Sequence, residues 1–114
     1  MEFKEVSFIR RSIRTFSSEP VFIDKLNLIL HAAMQAPSAG NQRPWEFVVV
    51  HDRPMLEKLS QTSPYSHLLA AVPVAIVLLA NKDGLRHPDF YLQDMAACTQ
   101  NLLLAAVDEG LGAV

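Results

Sequence analysis

The sequence predicts one α+β domain over residues 1–114, an α/β-type layered sandwich in which helices flank a central sheet. Three observations support this fold class. Segments with helical and strand periodicity follow one another in the order helix, helix, strand, helix, strand, helix. Half of the 114 residues are hydrophobic and 19% are charged, which is enough apolar surface for a core. One long segment is apolar around nearly its whole helical circumference, which predicts burial inside a layered domain or between subunits.

Two amphipathic helices are expected in the first third of the chain. Apolar residues recur every three or four positions from Phe3 to Ile13 and predict a short helix that ends near Arg10. Pro20 interrupts this pattern. A second apolar stripe, from Leu26 to Ala36, predicts another helix, which Pro37 ends.

The remaining elements alternate between strands and helices. Trp45–Val50 is expected to be a strand, and Asp52 is expected to cap a short helix after it. The continuous apolar run Val72–Leu79 predicts a strand covered on both faces in the middle of a sheet. A long helix follows, from about Asp89 to Glu109. Residues 110–114 indicate a helix stop and the first residues of a further strand, so we expect the sequence to be truncated at its C-terminus.

The composition argues against several classes of partner. The net charge is −2, from ten basic and twelve acidic residues, and no Lys/Arg block indicates binding to nucleic acid or to a membrane surface. The apolar run Leu68–Ala80 is shorter than the roughly 20 residues that span a bilayer, and the chain begins without a cleavable leader. The single Cys98 excludes an internal disulfide, and the four scattered histidines make a metal site unexpected. We therefore expect a cytoplasmic protein that acts on small molecules.

A basic cluster follows the first helix. It consists of Arg10, Arg11, Ser12 and Arg14. In an extended chain alternate side chains share one side, so Ser12 and Arg14 would lie roughly 6 to 7 Å apart, a spacing that suits a phosphomonoester. The alternative is a solvated basic turn, with or without pairing of its arginines to Glu2 or Glu5.

A second cluster lies in the loop from Pro37 to Pro44. Ser38, Gly40 and Asn41 offer amides and side chains to a planar heterocycle, or they simply form the turn. The chain has no Gly-x-Gly-x-x-Gly and no Walker lysine, so neither a Rossmann dinucleotide site nor a P-loop is expected.

The long apolar helix carries one narrow polar stripe. Its members recur every seven residues: Gln93 and Gln100, and Asp94, Asn101 and Asp108. We interpret Asp94 and Asn101 as a polar seam that sets the register of a helix pair rather than as a site. Because a chain of this length hardly surrounds such a helix, a dimer interface is predicted there.

Three stretches resemble, in order and separation, the signatures of the nitroreductase family. They are Arg10–Phe16 (RRSIRTF), Ala36–Trp45 (APSAGNQRPW) and Asp94–Ala106 (DMAACTQNLLLAA), the last followed by Gly110-Leu111-Gly112. The resemblance covers nearly the whole chain and implies a nitroreductase-like central sheet in a homodimer. Members of the family are longer and take further flavin contacts from a C-terminal half.

The resemblance also implies an FMN site shared between two subunits. By position, Arg10 and Ser12 would lie at the phosphate and Arg14 near the polar edge of the flavin, while Pro37, Ser38 and Ala39 would contact FMN bound mainly by the partner. The expected cofactor-binding set is Arg10, Arg11, Ser12, Arg14, Pro37, Ser38, Ala39 and Asn41. A further polar contact is expected from Tyr65, Ser66 or His67, without a choice among them. Arg43 stands where relatives often have glutamine.

The implied reaction is oxidoreduction. NAD(P)H would reduce FMN and leave, and a nitroaromatic, a quinone or another small flat acceptor would then take its place. No catalytic side chain is expected, because hydride transfer is the chemistry of the cofactor. The alternative is a non-catalytic module that binds FMN and dimerises without turnover.

Overall fold

A computed structural model describes residues 1–114 and contains four helices and two strands. The helices are α1 (Phe3–Ile9), α2 (Ile23–Met34), α3 (Arg53–Ser60) and α4 (Tyr91–Asp108), and the strands are β1 (Trp45–Val50) and β2 (Ala75–Ala80). Short 3-10 turns occupy Ala39–Asn41, His67–Ala70 and Pro88–Phe90. The predicted α+β class and the predicted order of elements are confirmed.

Local signals account for several boundaries. The Asp52 carboxylate accepts a hydrogen bond from the Met55 amide at 3.1 Å and caps α3 as expected. Gly110, with φ of 75°, ends α4. Its amide donates to the Val107 carbonyl and the Leu111 amide donates to the Ala106 carbonyl, the two bonds of a Schellman motif.

The sheet differs from the prediction. β1 and β2 pair antiparallel, with Trp45 opposite Ala80 and Val50 opposite Ala75, and they form a two-stranded sheet. The expected position of Val72–Leu79 in the middle of a sheet is therefore wrong for this chain, because β2 pairs on one edge only. The strand also begins later than predicted, after Pro73, which has no amide to donate to a ladder.

The core lies where α2 and α4 pack together beside the sheet. Its buried members are Ile29, Ala33, Ala36, Trp45, Cys98, Leu102 and Ala106. Small side chains let the two helices approach closely, and the Asn101 amide donates to the Ala32 carbonyl at 3.1 Å. On α4 the buried positions recur every four residues, so one face is covered, while Leu92 on another face is 65% exposed.

The N-terminal cluster is held beside the end of the chain. Ser12 forms an isolated parallel bridge with Ala113, and the Ile13 amide donates to the Ala113 carbonyl at 3.0 Å. A Cβ at Gly112 would lie 3.0 Å from Ile13, so a glycine suits this close approach. The predicted extended segment after α1 is confirmed. None of the helices combines the length and the hydropathy needed to cross a bilayer.

Candidate functional site

The basic cluster leaves two of its three guanidinium groups without a partner. Arg11 donates to the carbonyl groups of Phe8, at 2.8 Å, and Arg10, at 2.7 Å, so its guanidinium folds back on the end of α1. The side chains of Arg10, Ser12 and Arg14 make no hydrogen bond within the chain, and the single ion pair joins the Met1 amino group to Asp108. These arginines form no ion pair with Glu2 or Glu5, and the alternative of a solvated basic turn stays open.

The chemistry of the free groups is that of an anion site. Two guanidinium groups and one hydroxyl lie within five residues of extended chain, next to the exposed end of α1. Guanidinium groups donate paired hydrogen bonds to phosphate or carboxylate oxygens, and they stay charged at every physiological pH.

The second cluster is a tightly turned loop. Gly40, Asn41 and Arg43 all have positive φ, of 55°, 54° and 45° respectively. The turn is closed by the Ser38 hydroxyl oxygen, which accepts from the Arg43 amide at 2.9 Å, and by the Asn41 amide, which donates to the Ser38 carbonyl. Two backbone amides, those of Ser38 and Gly40, have no acceptor within the chain. They, the exposed Asn41 side chain and the exposed Arg43 guanidinium are the groups that the loop offers to a ligand.

A residue that was not among the predicted site residues anchors this loop. Asp94 is 4% exposed in the first turn of α4. Its carboxylate accepts from the Ala39 amide at 2.8 Å and from Gln42 Nε2 at 2.7 Å. The interpretation of Asp94 as part of a helix-pair seam is thus corrected, because it binds the loop; only Asn101 ties α4 to α2. The available signal was a carboxylate in the first turn of a mostly apolar helix.

Gln42 extends the anchor to the segment before α4. Its Nε2 donates to the His87 carbonyl and its Oε1 accepts from the His87 amide, both at 3.0 Å. The His87 ring in turn lies against Gly40, where an added Cβ would be 2.7 Å from two ring atoms. The loop is therefore fastened by four hydrogen bonds to Asp94 and His87, which lie at least 45 positions further along the chain.

No hydrogen bond joins the two clusters within this chain, and neither of the two main cavities is lined by both. An apolar cavity of about 490 Å³ is lined by Ile13, Thr15 and Phe16, next to the basic cluster, but by no residue of the loop. A more open hollow of about 530 Å³ is lined by Gln42, Arg43 and His31, and by no residue of the basic cluster.

Three further candidates lie around the 3-10 turn before β2. Tyr65 is 89% exposed, and His67 is exposed at the start of the turn. The Ser66 hydroxyl is engaged, since it donates to the Ser60 carbonyl at 2.9 Å. The choice among the three stays open.

Cys98 lies in the core and not at either cluster. It is fully buried, and burial raises the pKa of its thiol above the ordinary value. It therefore behaves as a small apolar residue, as predicted.

Comparison with known proteins agrees with the fold. The profile of the nitroreductase family matches residues 9–63. A relative from Archaeoglobus fulgidus, provisionally named NADH dehydrogenase/NAD(P)H nitroreductase, is 44% identical over 108 residues, which are 94% of this chain and 62% of that protein. This chain thus spans less than two thirds of the length of that curated relative.

Two solved structures extend the comparison to three dimensions. A nitroreductase family protein from Clostridium novyi NT has a TM-score of 0.87 at 34% identity, over 98% of this chain and 67% of that one. A provisionally assigned nitroreductase from Desulfovibrio desulfuricans, solved in complex with FMN, has a TM-score of 0.89 at 32% identity, over 96% of this chain and 64% of that one.

Proposed function

Since this chain belongs to the nitroreductase family, we propose that it is the FMN-binding part of an oxidoreductase that moves reducing equivalents from NAD(P)H to a small flat acceptor such as a nitroaromatic or a quinone. Two relatives support this proposal. The Archaeoglobus protein is provisionally named NADH dehydrogenase/NAD(P)H nitroreductase, and the Desulfovibrio structure contains FMN.

The observation that carries the proposal is the set of unpaired donors in the basic cluster. Arg10, Ser12 and Arg14 have no partner within the chain, so a phosphate does not have to displace an existing ion pair. The donor set fits the FMN phosphomonoester, because guanidinium and hydroxyl groups together match its oxygens. Arg10 and Ser12 would hold the phosphate, and Arg14 would approach the polar edge of the ring. Arg11 would add charge rather than a direct contact, since its guanidinium is already engaged.

A second subunit would complete the site. The loop around Pro37, Ser38 and Ala39 and the basic cluster share no hydrogen bond or described cavity within one chain. A homodimer would bring the loop of one subunit, including Asn41, to the FMN held by the basic cluster of the other. The exposed apolar face of α4, at Leu92, favours such an assembly.

The chemistry needs little from the side chains beyond binding and orientation. When bound, FMN supplies the hydride transfer itself. The chain's own groups would fix the position of the phosphate and the ring, and the loop would leave one ring face open to substrates. NAD(P)H and the acceptor would use that face in turn, so the donor must leave before the acceptor binds.

A flavin titration with Arg10→Ala tests the proposal. In the intact protein that contains this chain, we expect FMN to bind ten- to a hundredfold more weakly, because a charge-assisted phosphate contact contributes about 1.5 to 3 kcal/mol. Arg86→Ala is the matched control, since Arg86 is an exposed arginine outside both clusters. Equal affinity of the Arg10 variant and the parent would mean that this cluster does not hold the phosphate.

Turnover is tested separately from binding. The FMN-loaded protein is mixed with NADPH, and then with NADH, in the absence of oxygen. Rapid loss of the oxidised-flavin absorbance with either donor supports an oxidoreductase. A spectrum that neither donor changes would leave only the non-catalytic module that binds FMN.

A further inference from the structure

Asp94 is the only charged side chain that is buried in the structure. Its carboxylate has no cationic partner and accepts two hydrogen bonds, both from the loop. Burying a carboxylate without a cation is costly unless donors and dipoles compensate it. Here the compensation comes from the Ala39 amide, the Gln42 amide and the first turn of α4, whose dipole favours negative charge. A costly group whose only side-chain hydrogen bonds go to this loop is an anchor for it.

The donors and acceptors around Gln42 restrict which residue can stand at position 94. Gln42 must direct its oxygen at the His87 amide and its nitrogen at the His87 carbonyl. If the Gln42 amide were flipped, its NH₂ group would face the His87 N–H and its oxygen would face the His87 carbonyl, so both hydrogen bonds would be lost. The same nitrogen then faces Asp94, so position 94 must present an acceptor to Gln42 as well as to Ala39. Only a carboxylate supplies two acceptors there, since asparagine has one oxygen and one NH₂.

The anchor decides which loop groups remain for a ligand. The Ala39 amide is used by Asp94 and the Ser38 hydroxyl oxygen accepts from Arg43. The amides of Ser38 and Gly40, on either side of Ala39, have no acceptor. We propose that Asp94 is a positioning residue that holds Ala39 in place and so presents these two amides to the flavin ring. This role rests on the proposed function, and Asp94 itself contacts no cofactor.

The substitution Asp94→Asn tests this role by changing one oxygen to NH₂ at constant size. We expect FMN to bind about tenfold more weakly, because the loop loses one anchoring bond and gains a donor facing a donor. In the FMN-free protein, amide exchange at Ala39 should become about tenfold faster. Asn101→Ala is the matched control: it removes a polar tether of the same helix that goes to α2 and not to the loop. It should lower the melting temperature but leave FMN affinity within about twofold.

Two results would overturn the role of Asp94. One is FMN affinity and Ala39 exchange equal to those of the parent in the Asp94→Asn variant. The other is an equal loss of FMN affinity in Asn101→Ala, which would make the effect one of general stability. If Asp94→Asn does not fold, Gln42→Met removes the other half of the anchor and should weaken FMN binding too; unchanged binding would refute the proposal. A parent protein that bound no FMN would instead contradict the proposed function.

Discussion

Among the four glycines, Gly40 is the one where an added methyl group meets the closest neighbour. An alanine there must adopt φ of 55°, and its Cβ would lie 2.7 Å from the Cδ2 and Nε2 atoms of His87. The backbone term costs about 1 to 2 kcal/mol for a residue with a Cβ in the left-handed region. Overpacking against the ring adds about 1 to 3 kcal/mol, since the His87 backbone is fastened by Gln42. We therefore expect Gly40→Ala to lower the free energy of unfolding by about 2 to 5 kcal/mol.

Gly84 provides a matched control for the backbone term. It also has positive φ, of 68°, but no atom lies within 4 Å of a Cβ built there. In urea denaturation, Gly84→Ala should lose only about 1 to 2 kcal/mol, and the difference between the two variants measures the contact with His87. Adding His87→Ala to Gly40→Ala should recover that difference in a double-mutant cycle. Equal losses in the two glycine variants would show that the ring moves aside at no cost, and the packing argument would be refuted.

Three further predictions concern pH, kinetics and assembly. Burial raises the pKa of the Cys98 thiol in the folded protein, so the folded state keeps its proton longer than the unfolded state, whose thiol titrates near pH 8.5. The thiol should not affect the free energy of unfolding below about pH 8 and should lower it above that pH. Above pH 8 the slope of unfolding free energy against pH should therefore be shallower in Cys98→Ala than in the parent. An unchanged slope would contradict this prediction. In steady-state kinetics of the FMN-loaded intact protein, double-reciprocal plots at several acceptor concentrations should be parallel, because one ring face serves both substrates, and intersecting lines would exclude alternation. In sedimentation velocity the same protein should be a dimer, because the loop of one subunit completes the site of the other; a monomer that retains FMN would exclude the shared site.

The sequence predicted best those elements that are specified by residues adjacent in the chain. Trp45–Val50 is a strand with the predicted bounds, because aromatic and β-branched residues after a turn specify it within six positions. Asp52 caps α3 and Gly110 ends α4 for the same reason. Val72–Leu79 was less well predicted. Its apolar composition indicated burial on both faces, but the number of strands that pair with it is a property of the sheet and not of the segment.

The same distinction between local and long-range signals applies to the candidate site. Taken alone, the sequence determined that Arg10, Ser12 and Arg14 lie together on an extended segment after a helix, and that residues 37–44 form a turn, since both follow from neighbours in the chain. Only the tertiary structure decided that the arginines lack carboxylate partners and that Asp94 holds the turn. The physical reason is that the bond from Ala39 to Asp94 joins residues 55 positions apart. Such a bond exists only once α4 has packed against α2. The entropy cost of closing that long segment is compensated by burial of the core between the two helices, and not by any local preference of the chain.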